Sequence, residues 1–180
     1  MIIFVGVAGS GKSIQGRLLA QKMNAKYFSM GEFLREHVDP NIQQKMLTGE
    51  LIKDEEVISA IDDALPRVSQ PDEEYILDGF PRTTIQADWL LKEIDRGRFT
   101  IKGVIHLNAT PEIIVPRLLE RKRPDDYLEA INQRINEYTD TILPILDRLK
   151  ADHIKTYEIN AEQPIDLVNA EIISKLRINS

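Results

Sequence analysis

Short apolar runs alternate with amphipathic stretches along this chain. The first run, residues 2–5, shows no polar alternation and ends at Gly6, as a strand covered on both faces does. From Lys12 to about Met23 the pattern turns helical, with Ile14, Leu18, Leu19 and Met23 expected on one face. KYFS (26–29) reads as a second strand, and EFLREHV and IQQKML as two short helices divided by Asp39-Pro40. Asp54 is expected to cap a helix whose stripe is Val57, Ile58, Ile61 and Leu65. YILD (75–78) is a third strand, followed by GFPR and a helix capped by Thr83 or Thr84 that carries Trp89, Leu90 and Ile94.

GVIHLN (103–108) is a fourth strand. Thr110 is then placed as a cap with Pro111 in the first helical position, and Pro116 is expected to bend that helix by removing one backbone donor. A long helix is expected from about Asp125 to Lys150 with a second bend at Pro144, then a fifth strand in IKTYEIN and a last helix opened by Pro164. Strands alternating with helices predict an α/β fold, a parallel sheet with helices on both faces.

Composition narrows what such a fold can do. The 180 residues suit a single domain, and 42% hydrophobic with 29% charged residues is the balance of a folded chain. A net charge of −6 and a pI near 5.2 argue against gripping nucleic acid or an anionic membrane over a broad face. Any anion must be held by a local cluster of cations. The absence of cysteine excludes disulfides, thiolate zinc sites and cysteine nucleophiles. The apolar start is too short for a signal peptide and lacks a basic leader, and no run approaches the roughly 20 residues of a membrane span. A cytoplasmic protein is expected. His37, His106 and His153 carry no ligand spacing and are expected in polar or buried structural roles, as Trp89, Tyr127 and Tyr138 are expected to need no catalytic one.

Two stretches carry chemistry. GVAGSGKS places Gly6, Gly11, Lys12 and Ser13 in the pattern G-x-x-x-x-G-K-[ST] between a strand and a helix. Glycines let backbone N–H groups wrap phosphate oxygens, the lysine adds charge, the helix N-terminus favours an anion, and the hydroxyl can meet Mg²⁺. The loop alone fits GTPases, transporter ATPases and small-molecule kinases, but the chain has no NKxD guanine motif and no transporter signature. LDGFPRTTIQAD is the second stretch. Asp78 ends a strand and so should reach the same sheet edge, where it can hold Mg²⁺ or its waters. Arg82 lies just beyond, where a second anion can sit. Further along, Arg117, Arg121, Lys122 and Arg123 gather positive charge within a few residues of one another in an acidic chain, as transfer between two phosphorylated molecules requires.

GVAGSGKS, SMGEFLRE, LDGFPRTTIQAD, RKRPDD with Arg134, and the closing NAEQP follow one another in an order that resembles the adenylate kinase family over nearly the whole chain. The resemblance implies a P-loop NTPase-type three-layer sandwich with a five-stranded parallel sheet and the phosphate-loop strand at its centre. It implies transfer of the γ-phosphoryl of ATP to AMP, giving two ADP, with Mg²⁺. It divides the chain into a core (1–28, 59–120 and 127–180), an acceptor-nucleotide segment (29–58) and a short lid (121–126). It implies a monomer.

On the same resemblance, Gly9, Ser10, Gly11, Lys12, Ser13, Ile14, Arg117, Arg121 and Gln163 are expected on the ATP side. Met30, Arg35, Ile52, Gly79, Arg82, Gln86, Arg123 and Arg134 are expected on the AMP side, with Gln86 bonding adenine. Lys12, Arg82, Arg123 and Arg134 are expected to serve the transferring group, Ser13 and Asp78 the metal, and Asp125 and Asp126 the anchoring of the lid. Three departures stand out. Ser13 and Ile14 replace the family's usual glycine and threonine, Met30 replaces a threonine, and the stretch between Gly31 and Gly49 is short. A kinase for UMP, CMP or another nucleoside monophosphate is the nearest alternative, although Gln86 favours adenine and Thr83 stands where pyrimidine-directed relatives carry asparagine. A non-catalytic nucleotide-binding module is the alternative from another class.

Overall fold

The computed structural model describes residues 1–37, 52–68 and 74–178. Five strands form one all-parallel sheet: β1 (Ile2–Gly6), β2 (Lys26–Ser29), β3 (Tyr75–Asp78), β4 (Gly103–Asn108) and β5 (Thr156–Asn160). Their order is β2-β3-β1-β4-β5, so the phosphate-loop strand is central, as expected. Ile2 pairs with Ile76 on one side and Gly103 on the other. A strand with neighbours on both edges and helices on both faces has no wet side, which is why β1 is continuously apolar.

Seven helices are seen among the described residues: α1 (Lys12–Met23), α2 (Met30–His37), α3 (Asp54–Val68), α4 (Thr84–Asp95), α5 (Pro111–Arg121), α6 (Leu128–Ala151) and α7 (Ile165–Leu176). The alternation of side chains along a strand divides the core in two. Ile3, Val5 and Leu77 face a cluster with Leu34, Ile61, Leu65, Leu90 and Leu149 from α2, α3, α4 and α6. Ile2, Phe4, Ile105 and Ile159 face Leu19, Val168 and Ile172 from α1 and α7. A third cluster, Val7, Ile114, Leu118 and Ile131, pins α5 and α6 beside the phosphate loop. Trp89 packs edge-on against Phe80, ring centroids 5.9 Å apart, in the packing role expected of it.

Four local expectations need correction. The buried side of α1 is Gln15, Gly16, Leu19 and Ala20, while Ile14 is 50% exposed. The helix lies so close to the sheet that the Tyr27 ring rests against Gly16, and the bulkier Ile14 is turned to the cleft. Ile58 is only half-buried, at the margin of the α3 stripe. Asp54 does not cap α3. It is the first helical residue, the amides of Glu56 and Val57 bond to the Lys53 carbonyl, and the Asp54 carboxylate is turned toward α4. The long helix begins at Leu128, not Asp125. Residues 123–126 form a turn instead, closed by the Asp126 N–H on the Arg123 carbonyl at 2.9 Å, because the aspartate side chains bond locally and compete with helix. Both α5 and α6 continue through their internal prolines, Pro116 and Pro144. The IQQKML helix, the Asp39-Pro40 division and residues 38–49 of the short Gly31–Gly49 stretch lie outside the described residues.

Chain order reverses at β1, so the loops at the carboxyl ends of the strands part there and leave a crevice. No helix among the described residues is long and apolar enough to cross a membrane.

Candidate active site

That crevice is a cleft of about 930 Å³, and every residue expected to meet a nucleotide or the metal lines it, at the upper end of the 300–1,000 Å³ typical of ligand sites. From the phosphate loop and the start of α1 come Gly9, Ser10, Gly11, Lys12, Ser13 and Ile14; from α2 and the residues just before α3, Met30, Arg35 and Ile52; from the end of β3, the turn after it and the first turn of α4, Asp78, Gly79, Arg82 and Gln86. Arg117, Arg121, Arg123 and Arg134 enter from the α5–α6 side, and Gln163 from the loop after β5.

The phosphate loop is built to receive an anion. Gly9 and Gly11 take positive φ, 85° and 93°, a conformation that only glycine enters without strain. Gly11 caps α1 with no side-chain hydrogen bond, so the first N–H groups of the helix keep their donor capacity. Lys12 folds back across the loop and donates from Nζ to the Gly6 carbonyl at 2.7 Å and the Val7 carbonyl at 2.9 Å. An ammonium has three donors, so one remains. Desolvation lowers the Lys12 pKa to about 8; Asp78 opposes the shift, and Arg82 and Arg121 add to it.

Asp78 stands at the end of β3, on the neighbouring strand. Its Oδ2 accepts from Ser13 Oγ at 2.7 Å and from the Tyr27 hydroxyl at 2.6 Å. Its Oδ1 is buried with no hydrogen-bond partner among the described residues. A buried carboxylate oxygen without a donor is costly, and a hydroxyl beside it completes a hard oxygen pair. The two residues fit Mg²⁺, which commonly takes one or two protein oxygens and completes its shell with water and phosphate.

Between α2 and the β3–α4 turn the guanidinium groups of Arg35 and Arg82 converge. A Cβ placed on Gly31 would lie 3.5 Å from Arg35 Nη1 and from Arg82 Nη2. Arg82 Nε donates to the Gly79 carbonyl at 2.9 Å, which fixes the arginine over its own turn. Met30 is 1% exposed and offers the cleft an apolar wall without a hydrogen-bonding group. Gln86 is 3% exposed, and its amide is engaged inside the protein with the Arg82 N–H and Asp54. One amide N–H and one lone pair of Gln86 remain uncommitted by these two bonds.

The 121–126 segment is tied to itself and to Arg134 through the carboxylates of Asp126 and Asp125. Asp126 accepts from Arg121 Nε and Nη2 at 2.8 and 2.7 Å, from the Arg123 backbone N–H at 3.1 Å, and from Arg134 Nη2 at 3.4 Å. Asp125 accepts from Arg134 Nη1 at 2.8 Å. Burial pushes the Asp126 carboxyl up, but its bonds to Arg121 and Arg123 and the charges of Arg121 and Arg134 outweigh that and hold it below the usual carboxylate range. Arg123 differs from its neighbours: its guanidinium makes no hydrogen bond among the described residues, and desolvation with the facing charges of Arg121 and Arg35 lowers its pKa. Arg117 donates to the Ala161 carbonyl at 2.9 Å, and Gln163 Nε2 to Glu171 at 3.0 Å. His106 is buried on β4 with Nε2 2.8 Å from the Tyr138 hydroxyl, the structural role expected of a histidine here.

Sequence reasoning missed Tyr27 and misassigned Asp54. Tyr27 reaches Asp78 only because β2 pairs with β3, Ser29 opposite Asp78; composition carries no sign of that register.

With this geometry in hand, comparison with known proteins is specific. The adenylate kinase family model matches residues 4–154. An adenylate kinase of Prochlorococcus marinus (strain AS9601) is 33% identical over 97% of each chain. Adenylate kinase 1 of Nostoc sp. (strain PCC 7120) is 31% identical, again over 97% of each. An adenylate kinase of Corynebacterium glutamicum (strain R) is 28% identical over 97% of this chain and 98% of the relative.

Proposed function

The chain belongs to the adenylate kinase family and is an ATP:AMP phosphotransferase, and from that premise we propose how its residues divide the work. The observation that carries the division is the convergence of Lys12 and six arginines on one cleft in an acidic protein. ATP lies on the phosphate loop, its phosphates on the N-terminus of α1 and on Lys12, with Ile14, Arg117, Arg121 and Gln163 beside it. AMP lies toward α2 and the β3–α4 turn, its phosphate between Arg35 and Arg82 and its base near Gln86, with Met30, Ile52 and Gly79 forming walls. Arg123 and Arg134 reach the transferring group between them.

Lys12, Arg123 and Arg134 spread positive charge where the transition state gathers negative oxygens, and the two phosphate sites hold the reacting oxygens in line. Ser13 and Asp78 would hold Mg²⁺ together with ATP, and the ion would supply charge neutralisation at the phosphate oxygens. Residues 29–58 and the lid, 121–126, close over the nucleotides and exclude water, and the remainder is a core that stays in place. The protein works as a cytoplasmic monomer on free nucleotides, without nucleic acid or membrane.

A coupled assay with ATP and Mg²⁺ against AMP, dAMP, GMP, CMP and UMP tests this reading. AMP is expected to lead GMP, CMP and UMP by at least about tenfold in kcat/KM, one decade for each 1.4 kcal/mol of mismatched pairing. Better use of CMP or UMP would replace it with a pyrimidine monophosphate kinase. No turnover with any acceptor would leave a nucleotide-binding module.

A further inference from the structure

The Gln86 amide is fixed by two neighbours of opposite character. Its Oε1 accepts from the backbone N–H of Arg82 at 2.8 Å, and its Nε2 donates to Asp54 Oδ1 at 2.8 Å. A backbone N–H only donates and a carboxylate only accepts. Reversing the amide would set its NH₂ against an N–H and its carbonyl oxygen against a carboxylate, so one orientation prevails. Thr83 Oγ1 donates to the same Asp54 Oδ1 at 2.7 Å and also caps α4 by accepting from the Gln86 N–H at 3.2 Å. The carboxylate is therefore tied to the start of that helix. One amide N–H and one lone pair of Gln86 remain, and the side chain lines the cleft.

We propose that Asp54 is a positioning residue that sets the acceptor-base specificity by locking the orientation of the Gln86 amide. The inference rests on the reading above that Gln86 meets the acceptor base. Locked in this way, the amide presents its donor and its acceptor in one fixed order. Adenine offers a ring-nitrogen acceptor beside an amino donor. Hypoxanthine has nearly the same outline but offers a carbonyl acceptor beside a ring N–H donor, the reverse order. Hypoxanthine needs the reversed amide, and Asp54 opposes the reversal with a full negative charge. Because Asp54 is also the first residue of α3, the lock joins that helix to the β3–α4 turn that carries Arg82.

The test compares the full-length protein with Asp54→Asn, using AMP and IMP as acceptors at saturating Mg²⁺ and ATP. Asparagine keeps the size but can turn either an oxygen or an amino group toward Gln86. The AMP-to-IMP ratio in kcat/KM should fall by at least about tenfold, AMP losing through KM while IMP and the KM for ATP stay within about twofold. Asp54→Ala, read the same way, covers an asparagine that keeps its oxygen facing Gln86 or a variant that does not fold. Asp54→Glu, which retains an acceptor, should keep most of the ratio. Equal losses for AMP and IMP, or an unchanged ratio, would overturn the proposal. Gln86→Ala separates the two levels. If it leaves the ratio intact, the base-reading role of Gln86 fails and the proposal falls with it. If it collapses the ratio and the Asp54 variants do not, the Gln86 reading stands and only the role of Asp54 is lost.

Discussion

Lys12 and Arg121 line the same cleft, yet their charges are held by opposite means. Lys12 is bound by two neutral carbonyls of its own loop and sits where desolvation draws its pKa down to about 8. Arg121 is bound in a fork by the fully buried carboxylate of Asp126, which Arg134 shares. Charge in the phosphate loop is thus kept available at a cost to the free protein. In the lid it is compensated, and the same contacts that neutralise it hold the segment in shape. Breaking the arrangement should therefore have different consequences at the two places: function without fold at Lys12, fold and function together where Arg121 and Arg134 meet Asp126.

The largest effect is expected at the loop. Lys12→Met should lower turnover on the order of 10³-fold, the upper range for loss of one preorganised charge. It should also raise the melting temperature of the nucleotide-free protein at pH 7. The sign follows from linkage: with its pKa lowered from 10.5 to about 8, Lys12 costs the folded state its full penalty below pH 8, and stability recovers as pH climbs toward 10.5. A rise of about 3 °C corresponds to roughly 1 kcal/mol in a chain of this size. A destabilised variant would dissolve the contrast with the lid.

Arg123→Ala comes next, with kcat lowered on the order of 10²-fold and the KM for ATP changed by less than about threefold. Thermal unfolding should barely move, because that guanidinium makes no hydrogen bond among the described residues. A pure KM effect would show that Arg123 docks a nucleotide and nothing more. Asp126→Ala should act in the opposite proportion. Its partners keep 29% and 18% side-chain exposure, so the loss should be about 2 kcal/mol, short of the 3–5 of a fully buried pair. The melting temperature should fall by about 6 °C and kcat by about tenfold. Unchanged stability would mean that Asp126 does not hold the lid.

Most of this arrangement was legible in the sequence because it is written in local spacing. The phosphate loop, the Asp78–Arg82 turn and the 121–126 stretch each declare themselves within a few residues, and short runs between helical patterns placed every strand of the sheet. What was missed depends on non-local contacts. Asp54 has the chemistry of a helix cap, and nothing local reveals that Thr83 and Gln86 claim its carboxylate first. Tyr27 meets Asp78 through strand register. Asp125 and Asp126 look like the start of a helix until their arginine partners turn them inward. Ile14 belonged to a helical stripe on spacing alone, but the close seat of α1 on the sheet at Gly16 gives the buried face to Gln15, Gly16, Leu19 and Ala20.

The most direct measurement of the contrast is the pH dependence of ATP binding, followed by calorimetry in buffers of different ionisation enthalpy. Phosphate restores the proton that desolvation removes from Lys12, so the bound state holds more protons than the free state above pH 7. Affinity should weaken about tenfold between pH 7 and pH 9, with uptake of about half a proton per ATP near pH 8, where free Lys12 is half charged. Lys12→Met should bind ATP weakly and without that pH dependence. A flat affinity with no proton uptake in the wild-type protein would contradict the account: Lys12 would then be fully charged before any nucleotide arrives, held at no greater cost than the paired arginines of the lid.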